Sequence, residues 1–323
     1  MTIKQDYKVI AQGKREQRDS LIPSEWRVKT PSDSQNVLQS GLLSEKELKI
    51  TSDHDAVDIL ERIKTRQYSA EEVTRAFCKR AAIAQQLTNC LTEIFFDEAI
   101  ERSKKLDEEL AGNPDQHLRP LHGLPISIKD SFRVPGVDST TGLVCWANEP
   151  DTEFSSLPKL LLDLGAVLYC KTNVPQTMMT ADSDNNVFGR TLNPNNLSLT
   201  AGGSSGGEGA LIALRGSILG VGTDIAGSIR IPSICCVRRN LAESARKLEA
   251  AGIEVIPISL PDVGEAVETI MRMFSLDGCK FIQNLIASGG EPEVPSVRNI
   301  NLAGIPAASL EDFFKLNAAR SRI

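Results

Sequence analysis

The sequence predicts an α/β layered sandwich. Segments with apolar residues at helical spacing alternate with short apolar, β-branched runs of strand character, and glycines mark many of the joints between them. Composition agrees: hydrophobic residues make up 41% and charged residues 24% of the 323, values of a globular chain rather than a disordered, collagen-like or membrane one. The length leaves one or two domains open.

Taken in order, residues 1–53 are polar and weakly periodic, with Pro23 and Pro31 as punctuation, and read as a surface-wrapping arm. In "YSAEEVTRAFCKRAAIAQQ", Ser69 and Glu72 form a capping box, and Val73, Phe77, Arg80, Ala81 and Ala84 trace one helical face. "DEAIERSKKLDEELAGN" is a charged amphipathic helix that Gly112 is placed to end. "LPISIKD" (124–130) alternates like a strand finishing on Lys129, and "GAVLYCKT" (165–172) reads as a buried strand after the helix "LPKLLLDL". The glycine cluster at 202–207 leads into the helix "EGALIALR", and "SILGVGTD" returns as a strand. Beyond Arg238 the pattern predicts a helix "LAESARKLEAAG" stopped by Gly252, a strand "IEVIPIS", and further helices, the last opening at Ser309 with Asp312 three residues on. The expected organisation is an N-terminal arm (1–53), a core (54–236) and a C-terminal remainder of the same domain (237–323).

A formal net charge of −6 gives no electrostatic reason to expect a nucleic acid or an anionic membrane surface as partner, so a small molecule is the expected one. The seven cysteines, Cys78, Cys90, Cys145, Cys170, Cys235, Cys236 and Cys279, contain no C-x-x-C pair and several lie in apolar runs; they read as buried thiols rather than disulfides or zinc ligands. No apolar stretch is long and uncharged enough to span a bilayer. The N-terminus is polar, without the apolar run of a secretory signal, and the expected location is cytoplasmic.

The chemistry concentrates in "GGSSGGEGALIALRGSILGVGTDIAGSIRIP" (202–232). A flexible linker is one reading of the glycines and serines, but apolar periodic runs flank them on both sides. A phosphate-cradling loop is another, but the Lys-Ser/Thr of such loops is missing and Glu208 would repel a phosphate. The third is a catalytic turn, in which glycines let backbone N–H groups converge on a developing oxyanion while a serine attacks. Ser228 stands between a predicted strand and a helix start, as that reading needs. A Ser-His-Asp triad would require a histidine, and only His54, His117 and His122 are present. The first two lie in polar, surface-like turns, and His122 precedes a strand at the wrong end. A lysine can serve instead if burial leaves its amine neutral, and Lys129, ending an apolar strand, is the candidate.

Together, "LHGLPISIKDSF", "AGGSSGGEGALIA" and "GVGTDIAGSIRIPS" resemble the amidase signature family, in that order along the chain. "IPSEWRV", "RAAIAQQLTNCLTEIFFDEAI", "VLYCKTNVPQTMM" and "NNVFGRTLNP" extend the likeness toward its fungal acetamidase-type branch, over roughly residues 20 to 235. The resemblance implies a three-layer α/β/α sandwich with a mixed central sheet. It also implies carboxamide hydrolysis by a Ser-Ser-Lys triad, with no metal and no cofactor, on a small-molecule amide. Ser228 would be the nucleophile, Ser204 the bridging serine after a cis peptide bond, and Lys129 the base. The amides of Ile225, Ala226, Gly227 and Ser228 would form the oxyanion hole. Ser205 would support Ser204 by hydrogen bonding, Asp224 and Arg230 would pair to hold the turn or form a plain surface salt bridge, and Met178 and Met179 would line an acyl pocket or pack in the core. A homodimer is expected from the resemblance alone.

Two departures stand inside the motifs: Ala226 where the family usually has glycine, and Ala201 where proline is common. If position 226 needs a positive φ, its alanine would tilt an oxyanion donor. A larger departure follows "IRIPSICC". There the chain joins directly to "VRRNLAESARKLEAAGIEVIP" at Cys236–Val237, where the family carries a further block of sheet and helix, and it stops at "LNAARSRI". The fold is therefore expected to be incomplete, with exposed apolar faces and ladder edges. An active amidase on a reduced scaffold and a catalytically impaired remnant are both compatible with these residues.

Overall fold

The computed structural model describes residues 6–28, 37–112, 118–236, 249 and 264–321. A four-stranded mixed sheet forms its centre, in the order β1-β3-β2-β6, with β1 Leu91–Ile94, β2 Pro125–Lys129, β3 Val167–Thr172 and β6 Gly220–Val221. β3 and β6 run parallel to β2, while β1 is antiparallel to β3. A two-stranded hairpin, β4 (Leu192–Asn193) and β5 (Asn196–Thr200), lies outside this sheet.

Every residue of β2 and β3 is buried, as continuous apolar runs covered on both faces should be. Val167 and Tyr169 enter one hydrophobic cluster with Cys78, Ala81 and Leu211, whereas Ala166 and Leu168 enter another with Ile59, Ile63 and Phe77. This two-sided packing is the α/β layering that the period changes predict. Helix α4 (Ala70–Thr88) contributes to both clusters and buries fourteen of its nineteen residues, with the capping box of Ser69 and Glu72 at its start. The expected helices appear as α5 (Phe96–Gly112), α6 (Ser156–Asp163) and α7 (Gly206–Ala213).

The first 53 residues hold more regular structure than their polarity suggests. They form α1 (Tyr7–Ser20) and α2 (Glu45–Ser52), the latter with a capping box of Ser44 and Glu47. Two of the three buried residues of α1, Lys14 and Arg18, are charged, the third being Ala11, which hides its buried face from a hydrophobic-period test. Lys14 is ion-paired with both Glu93 and Asp138 at 2.8 Å, and Arg18 donates to the Asn89 side chain and the Leu91 carbonyl, both at 3.0 Å. Their stems pack while their heads reach fixed acceptors.

The predicted strand "SILGVGTD" is shorter than its pattern. Only Gly220 and Val221 pair, and among the described residues they pair with β2 alone. Leu219, Ile225, Ile229 and Ile234 near this edge are exposed. Helix α8 (residues 230–236) follows. The helix predicted from 241 to 252, the strand from 253 to 259 and the junction at Cys236–Val237 reach into or lie within residues outside those described, as does His117. Later come α9 (Gly264–Phe274), α10 (Lys280–Gly289), α11 (Pro295–Asn299) and α12 (Leu310–Arg320), the last opening on the Ser309–Asp312 cap. Ile286, Val294, Val297 and Leu302 pack with Leu143, and the Glu291 carboxylate accepts from the Val144 amide at 2.7 Å and the Gln176 side chain at 2.8 Å.

None of the seven cysteines forms a disulfide, and five are buried. Among the described residues no helix is long and apolar enough to cross a membrane. His54 is buried rather than peripheral, its Nε2 3.2 Å from the Tyr68 hydroxyl, and His122 is buried with Nε2 3.1 Å from the Leu106 carbonyl. Because Phe77 is fully buried between α4 and the sheet, Phe77→Ala should lower unfolding stability by about 3–5 kcal/mol, read as a shift of the urea midpoint at constant m-value; a loss below about 1 kcal/mol would contradict this packing.

Candidate active site

Parallel strands bring the predicted residues to one end of the sheet. Lys129 is the last residue of β2, Thr172 pairs beside it at the end of β3, and the chain leaving β6 turns back over both. Lys129 is fully buried, and its Nζ lies 2.7 Å from Ser204 Oγ and 2.8 Å from Thr223 Oγ1. Burial brings the amine down to about 8, against the opposing pull of the Glu208, Asp224 and Asp130 carboxylates. Near neutral pH about a tenth of the amine is then neutral, far more than for an ordinary solvated lysine.

Ser204 and Ser205 lie in the turn that opens α7, and the Gly203–Ser204 peptide bond is cis. Backbone contacts lock this turn. The Ser183 hydroxyl donates to the Gly202 carbonyl at 2.9 Å and accepts from the Gly206 amide at 3.0 Å, while the Gly207 amide donates to the Asn173 carbonyl at 3.0 Å. A Cβ on Gly207 would overlap the Asn173 backbone nitrogen and stand 2.6 Å from the Cys90 carbonyl oxygen. The glycine-rich cluster is thus a rigid docking surface, and the linker reading is excluded by its burial.

Asp224 organises the loop that carries Ser228. Its carboxylate accepts from the amides of Gly227 (2.8 Å), Ile229 (2.9 Å) and Arg230 (3.0 Å), and from Arg230 Nε at 3.1 Å and Nη2 at 2.9 Å. The Arg230 guanidinium and these three amides hold the carboxyl far below the usual carboxylate range. The pair is therefore the cap of α8 and the frame of the turn, more than a surface salt bridge.

Three expectations change. Ser205 does not support Ser204; its amide donates to the Ser228 carbonyl at 2.9 Å and its hydroxyl to the Thr223 carbonyl at 3.4 Å, which ties the two serine loops together. Gly227 is not a free oxyanion donor, because its N–H is spent on Asp224, whereas the amides of Ile225, Ala226 and Ser228 meet no acceptor among the described residues. Ala226 carries no positive φ; the left-handed residue is Gly227, at φ 120°, so the strain feared for alanine does not arise. No hydrogen bond joins the Ser204 and Ser228 hydroxyls in this structure.

Met178 ends a tight turn, Gln176–Met178, in which Thr177 (φ 73°) and Met178 (φ 58°) both have positive φ; Met179 packs against the Leu143 cluster. Thr223 and Glu208 were missed as site members by sequence reasoning, although both stand inside the quoted motifs. Spacing ranks no threonine or glutamate above its neighbours until the strands are paired.

A family model described as Amidase matches residues 72–237, just over half of the chain. The chain is 50% identical over 234 residues to a putative amidase of Curvularia clavata, covering 70% of itself and 43% of that protein. It is 47% identical over 233 residues to an acetamidase of Emericella nidulans, covering 71% and 42%. It thus spans less than half the length of these curated relatives. Among solved structures it resembles a fatty acid amide hydrolase, with a TM-score of 0.85 at 25% identity over 97% of this chain and 74% of that one. It also resembles a bacterial aryl acylamidase, with a TM-score of 0.52 at 32% identity over 56% and 37%.

The docking of α7 makes a local prediction. Gly207→Ala should cost about 3 kcal/mol as an overpacked contact against backbone that cannot move aside, seen as a fall in thermal unfolding temperature; an unchanged transition would show that α7 sits farther from Asn173.

Proposed function

Because the chain belongs to the amidase family, we propose that it hydrolyses small carboxamides to a carboxylic acid and ammonia or an amine through a Ser-Ser-Lys acyl-enzyme mechanism. The single observation that carries the reading is the buried Lys129 amine at 2.7 Å from Ser204 Oγ.

In this mechanism neutral Lys129 takes the Ser204 proton as Ser204 takes that of Ser228. Ser228 Oγ then adds to the amide carbonyl. The Ser204–Ser228 contact closes in the reactive complex, where catalytic hydrogen bonds tighten. Negative charge developing on the carbonyl oxygen is received by the amides of Ile225, Ala226 and Ser228, each such donor being worth roughly 3 kcal/mol in the transition state. The proton held at Lys129 returns through Ser204 to the leaving nitrogen, which departs as ammonia or an amine. Water, deprotonated by the same relay, attacks the acyl-Ser228 ester and releases the acid.

Ammonia release from acetamide, benzamide and longer acyl amides by the purified protein tests this. Ser228→Ala should lower kcat by up to about 10⁶-fold, and equal rates for the two proteins would defeat the proposal. The pH profile has a definite sign. The base must be neutral, so kcat/KM should climb with pH through a midpoint near about 8, where half of Lys129 has lost its proton, and level off above it. A profile flat from pH 6 to 9 would exclude Lys129 as the base.

A further inference from the structure

Glu208 is a further buried ionisable group at this end of the sheet, beside Lys129 and Asp130. The hydrolytic scheme above assigns it no part. It stands in the first turn of α7, and its carboxylate spans the strands: Ser127 Oγ on β2 donates to Oε2 at 2.8 Å and Thr172 Oγ1 on β3 donates to Oε1 at 3.1 Å. Ser127 Oγ is also 2.9 Å from Ser217 Oγ, which secures the hydroxyl from the far side. Above it β6 passes so close that a Cβ on Gly220 would overlap Oε2. Among the described residues no cation bonds it directly. Both partners are neutral hydroxyls, one on each oxygen, and the cation that acts on it is Lys129.

We propose that Glu208 is a positioning residue for the Lys129 base, a fixed buried carboxylate that stabilises the ammonium formed when Lys129 receives the proton of the serine relay. The inference rests on the hydrolytic reading above. An isolated buried lysine would be neutral but a poor proton acceptor, since its charged form would find no compensation. A carboxylate locked in hydroxyls under the same turn supplies that compensation without contacting substrate. Burial raises the Glu208 carboxyl and lowers the Lys129 amine toward each other, each charge opposing the other's shift, so the two titrate as a coupled pair. The other groups facing the pair are Asp130 and Asp224 around Lys129, and Cys90, Tyr169 and Cys170 around Glu208. Burial holds those two thiols and the phenol uncharged while the pair titrates.

The test is Glu208→Gln, which keeps shape and hydrogen-bonding atoms and removes the charge. Without the carboxylate the ammonium is less stable, so the acid limb of kcat/KM should move to lower pH, by on the order of one unit, while the plateau falls because the amine is a weaker base. A limb that stays put or moves to higher pH overturns the proposal. The Lys129 titration is also read without turnover, from the 13Cε resonance of labelled lysine, assigned by its loss in Lys129→Met. That midpoint should fall in Glu208→Gln, and an unmoved midpoint overturns the assignment. Should the glutamine variant fail to fold, Ser127→Ala, which removes a donor to the charged carboxylate, should lower the same midpoint, and no change there is equally decisive against it. Since this resonance needs no catalysis, a wild type matched in rate by Ser228→Ala would sink the hydrolase reading while leaving the Glu208 assignment to be judged by NMR.

Discussion

The burial of one lysine amine against one serine hydroxyl is the constraint on which the rest of this site depends. Lys129 would be solvated at most strand ends. Here the turn that leads into α7 and the loop that follows β6 close over it, giving its Nζ two hydroxyl partners, Ser204 and Thr223. Removing water lowers the amine's proton affinity, and the nearby carboxylates set how far. Desolvation and compensation therefore act in opposite directions on one group, and the base role proposed for it depends on their balance.

Rigid backbone docking holds that balance. Residues 202–207 approach Asn173 and Ser183 through backbone contacts that a side chain would block. The cost of placing many glycines in one turn is offset by a geometry that orients Ser204 toward Lys129 and Glu208 toward Ser127 and Thr172. On the other side, Asp224 gathers three amides and one guanidinium, leaving the amides of Ile225, Ala226 and Ser228 unspent. A single carboxylate thus both caps α8 and shapes the turn whose other amides are proposed to receive the oxyanion.

The serine-bearing turn lies at the β6 edge, and its residues Ile225 and Ile229 are 67% and 41% exposed. Lys129, Ser204 and Glu208 are buried behind it. Lys129 and Ser204 of the proposed relay are accordingly enclosed by β2, β3 and α7, which come from the region matched by the amidase family, while the turn of Ser228 faces outward. The chain covers less than half of its curated relatives, yet the part it covers contains every residue of the proposed relay.

The sequence alone determined the elements whose own side chains carry the period: α4 with its capping box, the buried strands β2 and β3, and the glycine-serine motifs with Lys129, Ser204 and Ser228 that the proposed relay uses. It did not reveal α1, because Lys14 and Arg18 occupy its buried face and only their distant partners, Glu93, Asp138 and Leu91, make charged residues acceptable there. It overestimated β6, since the pattern of a strand does not state how many neighbours will pair with it. Tertiary structure decided that Gly227's amide belongs to Asp224, that Ser205 binds the Ser228 loop rather than Ser204, and that Glu208 lies beside the strand end that carries Lys129. Residue type and local spacing follow from the chain, but hydrogen-bond partners and desolvation arise between segments remote in sequence, so they exist only once the strands have been brought side by side.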